Sequence, residues 1–246
     1  DQDISNFNLV CFRRERNKKL HISGSIALVL EHLGIKFVDS ALKEVGLHED
    51  KLTNSVRLAF ACLPVPPTFF CFSERIEMYL DLIEKKFGYP FVMKEIFSQR
   101  GKGVFLVKNR DDIQRALKVF TDGKFLFQRF YQNDEEYRLL VLGNKVRVFE
   151  RKIRTSQKEF RSNVALGAAE KFFKIQDTPK DMKEIAEKSA RVLGIEVAGV
   201  DILVDKKTGK KWILEVNRGP GFTYDSKISP ELPELAKFFA KELNIT

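Results

Sequence analysis

Two carboxylates and an amide in the last third of the chain are side chains that could bind a metal ion. Asp201 begins the predicted strand 200–205, and Glu215 lies near the end of the next predicted strand, 211–217. Antiparallel pairing would bring both carboxylates to the same end of a hairpin. Asn217 shares the side-chain parity of Glu215. These oxygen ligands suit Mg²⁺, although acidic residues at strand ends also occur without a metal.

A lysine and a glycine-containing loop could bind phosphate groups. Lys94 ends the predicted strand 90–94, and the loop SQRGKG at 98–103 leads into another strand. Gly101 and Gly103 would let backbone N–H groups approach phosphate oxygens, and Lys94 would add a positive charge. The loop lacks the Walker sequence, so an ordinary β-hairpin turn is the competing interpretation.

A basic segment contains a third candidate. Arg161 and Asn163 lie on the same side of the predicted extended segment EFRSN. A guanidinium can neutralise the charge that spreads over a phosphoryl group during its transfer. The alternative is a solvated basic loop, because Arg151, Lys152 and Arg154 lie nearby in the chain.

The elements that must position these residues alternate short β-type runs with amphipathic helical runs, a pattern typical of an α/β or α+β enzyme. The expected strands are 8–12, 35–39, 90–94, 103–107, 124–130, 136–142, 145–152, 200–205 and 211–217. The expected helices are 23–34, 51–62, 74–87, 110–120, 180–193 and 230–243. Gly143 and Asn144 indicate a hairpin between two of the strands.

Composition limits the class of protein. A chain of 246 residues with 43% hydrophobic residues can bury a core as one large domain or two lobes. Its three cysteines, in no CxxC spacing, favour neither a disulfide framework nor a zinc site and fit a cytoplasmic protein. No apolar run reaches the ~20 residues of a membrane span. The first residue is Asp1 rather than Met, which indicates a truncated or processed chain.

The net charge of +9 favours anionic partners. ATP, an acidic peptide, a ribosome or nucleic acid would each fit such a surface. Basic residues cluster at 13–19 and at 151–161. A solvated lysine-rich surface explains the first cluster equally well.

Taken in order, several motifs resemble RimK-like ATP-grasp ligases over about residues 45 to 225. The motifs are Lys51 in EDK, Lys94 in VMK, SQRGKG at 98–103, FQRFY at 127–131, EYR at 136–138, ERK at 150–152, FRSN at 160–163, VDIL at 200–203 and EVNRGPG at 215–221. The VD and EVNxxPG pair is typical of ATP-grasp proteins broadly, and FRSN points to the RimK-like branch.

The resemblance implies a role for each matching residue. Lys51 and Lys94 would contact ATP phosphates, and Glu136 would hold the ribose. The backbone of an interlobe segment would bind adenine through Gln128, Arg129, Phe130 and Tyr131. The resemblance also places Arg161 and Asn163 at the γ-phosphate and Mg²⁺ at Asp201, Glu215 and Asn217. Arg138 and Arg151 would grip the acyl phosphate or an acidic substrate.

Five positions depart from the family pattern. The loop opens with Ser98 and Gln99 instead of a Gly-Thr type pair, and Arg129 stands where an acidic residue is usual. Glu136 replaces the usual Asp. Arg218 occupies a position that is normally small, beside the expected metal site, and we expect it to help select an anionic substrate.

The resemblance implies an ATP-grasp fold, in which two α+β lobes clamp ATP. The expected ranges are a partial pre-ATP-grasp strand-helix-strand unit at 1–48, an N-terminal lobe at 49–126 and a C-terminal lobe at 127–246. The implied activity is a carboxylate-amine ligase that uses ATP with Mg²⁺, or Mn²⁺ in its place. It would add an amino acid such as glutamate to a peptide or protein.

Two alternatives remain open at this point. One is a peptide-macrocyclising ligase of the same fold. The other is a non-catalytic module that binds nucleic acid or the ribosome, which the positive charge alone suggests. Association into a homo-oligomer is also left open.

Overall fold

A computed structural model of the chain describes residues 4–13, 20–44, 50–98, 101–133, 135–153 and 168–244. The described strands form three sheets, with two, four and five strands. In the described part, no helix combines the length and apolar character that crossing a membrane requires.

The two-stranded sheet is a small N-terminal unit. Its strands β1 (Leu9–Cys11) and β2 (Lys36–Val38) are parallel, and helix α1 (Leu20–His32) connects them. The predicted strand-helix-strand order is therefore present. Leu30, Leu42 and Phe12 form its apolar core.

The four-stranded antiparallel sheet has the order β3-β6-β4-β5. Its strands are β3 (Thr68–Phe72), β4 (Phe91–Glu95), β5 (Val104–Val107) and β6 (Lys124–Arg129), and its helices are α3 (Ile76–Phe87) and α4 (Arg110–Val119). Ile76, Leu80, Ile83 and Phe87 recur at helical spacing along α3 and face one side of the sheet. Lys94 alternates with buried Met93 and so faces the other side, away from the helices.

The five-stranded antiparallel sheet has the order β11-β10-β7-β8-β9. Its strands are β7 (Glu135–Leu142), β8 (Lys145–Ile153), β9 (Ala169–Phe173), β10 (Val197–Val204) and β11 (Lys211–Asn217). Helix α5 (Lys180–Leu193) covers one face, and helix α6 (Glu231–Glu242) packs on part of the other. Gly143 and Asn144 both have positive φ, 56° and 66°, as the predicted hairpin between β7 and β8 requires.

Helix α2 (Lys51–Phe60) packs against the five-stranded sheet, although it lies in the range predicted for the N-terminal lobe. Leu58 and Leu63 belong to the core beneath that sheet, and Arg57 donates to the carbonyl of Val192 at 2.9 Å. Asp50 caps the helix by accepting from two backbone N–H groups. The lobe boundaries stay predictions.

Three details of the sequence-based assignment were wrong. Strands β3 and β9 were not predicted. Strand β10 begins at Val197 rather than Val200, so Asp201 lies within the strand and not at its start.

Candidate nucleotide and metal site

A β-bulge places the predicted metal-binding side chains together. Ile202 pairs with Ile213, but the register then shifts, so Asp201 pairs with Glu215 and Leu214 has no partner. An uninterrupted ladder would place Leu214 opposite Asp201 instead. Bulges next to functional sites commonly re-aim a side chain in this way. Asn217 completes the group, since its Nδ2 lies 3.4 Å from Oδ2 of Asp201.

Two cations hold Asp201. Arg138 donates from Nε and Nη2 to its two carboxylate oxygens at 2.8 and 2.9 Å, and Nζ of Lys152 lies 2.8 Å from Oδ1. Burial acts to raise the pKa of Asp201, but these two cations outweigh it and lower the pKa to about 2. Asp201 is therefore ionised, as a metal ligand must be. The expected all-oxygen site thus contains two positive side chains as well.

The same sheet face carries a further carboxyl group that the sequence did not single out. Glu150 pairs in register with Arg138 on the side away from Asp201, and it is 2% exposed. Burial raises the pKa of Glu150 to about 8, against the opposing effects of Arg138 and Lys152. Across this face the pairing order is therefore Glu215, Asp201, Arg138 and Glu150, so one arginine lies between carboxyl groups on both sides.

Arg151 does not lie beside Arg138, and its expected role stays a prediction. Arg151 pairs with Tyr137, on the face opposite Arg138, and its guanidinium lies 5.8 Å from the ring centroid of Phe173. The next residue, Lys152, lies on the face of Arg138 and contacts Asp201. A second bulge explains the difference, because the β7–β8 register shifts between Leu140 and Val141. Without that shift, the two-residue turn would place Arg151 on the face of Arg138.

The charge of Glu215 acts on the pKa of both lysines that are predicted to bind phosphate. Burial lowers the pKa of Lys94 to about 8, and Glu215 is the main opposing influence. Burial also lowers the pKa of Lys51 from its ordinary value, again with Glu215 as the main opposing group. The lysines of the first part of the chain therefore lie within electrostatic range of the candidate metal ligands.

Lys51 also contacts the glycine-containing loop. Its ammonium donates to the carbonyls of Glu95, at 3.2 Å, and Ser98. The loop joins β4 to β5 in an antiparallel hairpin, as the competing interpretation expected. Gly101 has a φ of 74°, and a Cβ on Gly103 would clash with the side chain of Ser98. The left-handed backbone therefore favours glycine at 101, and the close approach of Ser98 favours it at 103.

The segment predicted to bind adenine spans the end of β6, because Gln128 and Arg129 belong to that strand and Phe130 and Tyr131 follow it. The buried Gln128 donates from Nε2 to Oγ1 of Thr68 at 2.8 Å, and it pairs with Thr68 of β3 on one side and Val92 of β4 on the other. Arg129 is exposed and Phe130 follows it. Tyr131 stacks on Trp212, with ring centroids 4.8 Å apart.

The predicted ribose-binding residue is held by a neighbour. Glu136 accepts a hydrogen bond from Nδ2 of Asn133 at 3.1 Å, and Asn133 is 2% exposed. Sequence reasoning did not identify Asn133. Asn133 could have been identified from the sequence only by its position three residues before Glu136.

Arg218 forms an ion pair with Asp39 of the N-terminal unit, and the two side chains are 8% and 4% exposed. The expected role of Arg218 in binding an anionic substrate stays a prediction, since one of its guanidinium nitrogens already pairs with Asp39. Arg161 and Asn163 lie outside the described residues, so their expected roles stay predictions as well.

The converging side chains fit a magnesium ion in number and chemistry. Within the described ranges, no cluster of three or more His, Cys, Asp or Glu side chains could hold an ion. Asp201, Glu215 and Asn217 supply two carboxylates and one amide, and Mg²⁺ commonly takes its remaining ligands from water and substrate phosphates. The residues present therefore suit an ion that arrives with a nucleotide.

Solved structures with the same architecture are ATP-grasp ligases. The ligase PsnB complexed with minimal precursor has a TM-score of 0.68 to this chain, at 16% identity, over 98% of this chain and 80% of that one. PsnB complexed with a phosphomimetic precursor variant, Mg and ADP has a TM-score of 0.64, at 18% identity, over 91% and 67%. The chain therefore has the ATP-grasp fold, as predicted.

The sequence comparison gives the particular family. A family model for the RimK-like ATP-grasp domain matches residues 48–231, so the chain belongs to that family. A probable alpha-L-glutamate ligase of Coxiella burnetii (strain RSA 493 / Nine Mile phase I) is 35% identical over 201 residues, which cover 78% of this chain and 62% of the relative. The chain thus spans less than two thirds of that relative's length.

Proposed function

We propose that the chain is an ATP-dependent, ADP-forming ligase that joins a carboxylate to an amine. One observation carries the proposal: Glu215 lies opposite Asp201 and is also the main charge that opposes the lowered pKa values of Lys51 and Lys94. This observation supports a site in which the candidate metal ligands and the two lysines act on one nucleotide triphosphate.

The proposed reaction needs no side-chain nucleophile. A carboxylate oxygen of the substrate attacks the γ-phosphorus as its bond to ADP breaks, and an acyl phosphate forms. The amine then attacks the acyl carbon, inorganic phosphate leaves, and a proton is lost from nitrogen. A bound Mg²⁺ would neutralise charge on the phosphate oxygens. Lys51 and Lys94 would orient those oxygens, and Arg138 and Lys152 would attract the developing anion.

Glutamate is the amino acid that we propose as a substrate. The relative from Coxiella burnetii is named a probable alpha-L-glutamate ligase. A net charge of +9 would favour an acidic peptide or protein as the second substrate. The second candidate is a reaction that joins two side chains of one peptide, and PsnB, which has the same fold, was solved with a minimal precursor. Mass spectrometry separates the two: glutamate addition raises the peptide mass, whereas ring formation lowers it by one water.

The direct test is Glu215→Gln, assayed by ADP release with glutamate and acidic peptides. We expect turnover to fall at least about 100-fold, because a charged metal ligand is lost, while circular dichroism stays unchanged. The matched control is Glu77→Gln, a change of the same type at an exposed residue of α3. Equal turnover in Glu215→Gln and the unaltered chain would contradict the metal assignment.

A nucleic-acid-binding module is the competing function of another class. It would show tight RNA binding that weakens steeply with salt, because released counterions would drive the association. It would also show no substrate-dependent ADP release. That pair of results would replace the ligase proposal.

A further inference from the structure

The N-terminal unit presents two charged residues at one edge. Strands β1 and β2 are parallel and end at Cys11 and Val38, so their carboxyl ends lie at the same edge of the small sheet. Arg13 and Asp39 follow those ends by two residues and one. Ligand-binding and docking groups commonly lie at this edge of parallel strands.

Asp39 reaches across this edge to the loop that follows the candidate metal strand. Its carboxylate pairs with Arg218, the residue directly after Asn217, and both side chains are more than nine-tenths buried. Asp39 precedes a short 3-10 helix but makes no side-chain capping bond there. Its φ of 86° is uncommon for a residue other than glycine. These features indicate that the uncommon backbone conformation of Asp39 serves its contact with Arg218.

Arg13 holds the same loop from a second direction. Its guanidinium donates to the carbonyl of Pro220 at 3.1 Å and lies 4.3 Å from the ring centroid of Phe222. On the other side of the loop, a Cβ added to Gly199 would lie 2.8 Å from Cβ of Pro220. The loop 217–222 is therefore confined between the N-terminal unit and strand β10.

We propose that Asp39 is a positioning residue for Asn217, acting through Arg218, and that the N-terminal unit thereby completes the nucleotide–metal site. Asp39 lies outside the matched range 48–231. The ion pair thus ties a unit beyond the family domain to a candidate metal ligand. This inference takes its ligand, Mg²⁺ with a nucleotide, from the proposed function, whereas the Asp39–Arg218 ion pair is independent of that proposal.

The first test measures ADP affinity by calorimetry with and without Mg²⁺. We expect Asp39→Asn to weaken Mg²⁺-dependent ADP binding about tenfold, the scale typical when a supporting partner of a metal ligand is removed. ADP binding without Mg²⁺ should change little. Arg218→Gln should weaken Mg²⁺-dependent ADP binding to the same extent. The double variant should bind ADP as well as either single variant, because both changes remove the same ion pair. Asp39→Glu should keep most of the affinity of the unaltered chain.

The second test does not need the ligand. Amide hydrogen exchange of residues 217–222 should accelerate in Asp39→Asn, because the loop loses one of its attachments. The matched control is Lys36→Gln, which removes the exposed Lys36–Glu242 ion pair, 2.7 Å long, between the same unit and α6. That control should leave both the loop exchange and the Mg²⁺ dependence as they are in the unaltered chain.

The outcomes separate the two proposals. If the unaltered chain binds no Mg²⁺–ADP, the proposed function fails, and loop exchange alone decides whether Asp39 positions the loop. If Asp39→Asn unfolds the protein, Asp39→Glu and Arg218→Gln carry both measurements. Unchanged Mg²⁺ dependence in Asp39→Asn, or additive effects in the double variant, would overturn the positioning role.

Discussion

The carboxylate of Asp201 has competing partners. It accepts hydrogen bonds from Arg138 and Lys152, and the same oxygens would bind Mg²⁺ in the proposed ligase. With a pKa of about 2, Asp201 releases no proton when a metal arrives. The metal must instead displace two cations. We therefore expect weak metal binding in the absence of nucleotide, whose phosphates can receive those cations.

Replacing Asp201 should destabilise the fold. Asp201→Asn leaves Arg138 and Lys152 without their balancing charge, so we expect the free energy of unfolding to fall by about 3–5 kcal/mol at neutral pH. A depressed carboxyl pKa stabilises the native state above the unfolded value and loses that effect as pH falls toward about 2. Urea denaturation at about pH 7 and about pH 3 measures this. The deficit of the variant should shrink at the lower pH, and a constant deficit would contradict the charge argument.

Lys94 should give nucleotide binding a pH dependence. Its pKa is about 8, so the ammonium loses its proton as pH rises through that value and attracts phosphate less. Affinity for Mg²⁺–ADP should therefore fall between about pH 7 and about pH 9.5. Calorimetry should show the decrease in the unaltered chain and in Lys86→Met, an exposed control on α3. Lys94→Met should bind weakly with no such step, and retention of the step would exclude Lys94 as its source.

The sequence predicted that the three candidate metal ligands would lie together, but it did not predict all of their neighbours. Asp201, Glu215 and Asn217 were found because their residue types and order are distinctive, and the structure brings them together. Lys152, which contacts Asp201, was not identified from the sequence. Side-chain parity on β8 depends on the bulge between β7 and β8, and a one-residue shift in register moves every side chain to the other face.

At the scale of elements, two bulges give the five-stranded sheet a charged face. One aligns Glu215 with Asp201, and the other aligns Glu150 with Arg138. The sequence predicted the strands that carry these residues but not the breaks in their ladders, because a bulge has no composition signal in these segments. Strand β3 was also missed, since TFFCF directly follows a proline-rich stretch and lacks polar alternation.

Strand β10 requires glycine where the loop 217–222 crosses it. In Gly199→Ala the new methyl group would lie 2.8 Å from Cβ of Pro220. We expect the free energy of unfolding to fall by about 1–3 kcal/mol and Mg²⁺–ADP binding to weaken, because the loop must move. Ala198→Gly, on the opposite face of β10, should lower stability without affecting binding. Denaturation and calorimetry on both variants test this, and normal binding by Gly199→Ala would show that the loop tolerates displacement.

At the scale of the whole molecule, α2 connects the segment before the four-stranded sheet to the five-stranded sheet. Leu58 is 3% exposed in the core beneath the five-stranded sheet. Leu58→Ala should lower the free energy of unfolding by about 2–4 kcal/mol and accelerate amide exchange in α5. Phe60→Ala removes a side chain that is 85% exposed and should change neither. Faster exchange confined to α3 and α4 would contradict this packing.

The stack of Tyr131 on Trp212 gives the protein a built-in optical probe. Trp212 is the only tryptophan in the sequence, and its ring lies against the segment proposed to face adenine. Intrinsic fluorescence excited at the indole therefore reports on one place in the molecule. Titration with ADP and Mg²⁺ should shift or quench this emission without any label, and Tyr131→Leu should diminish the response.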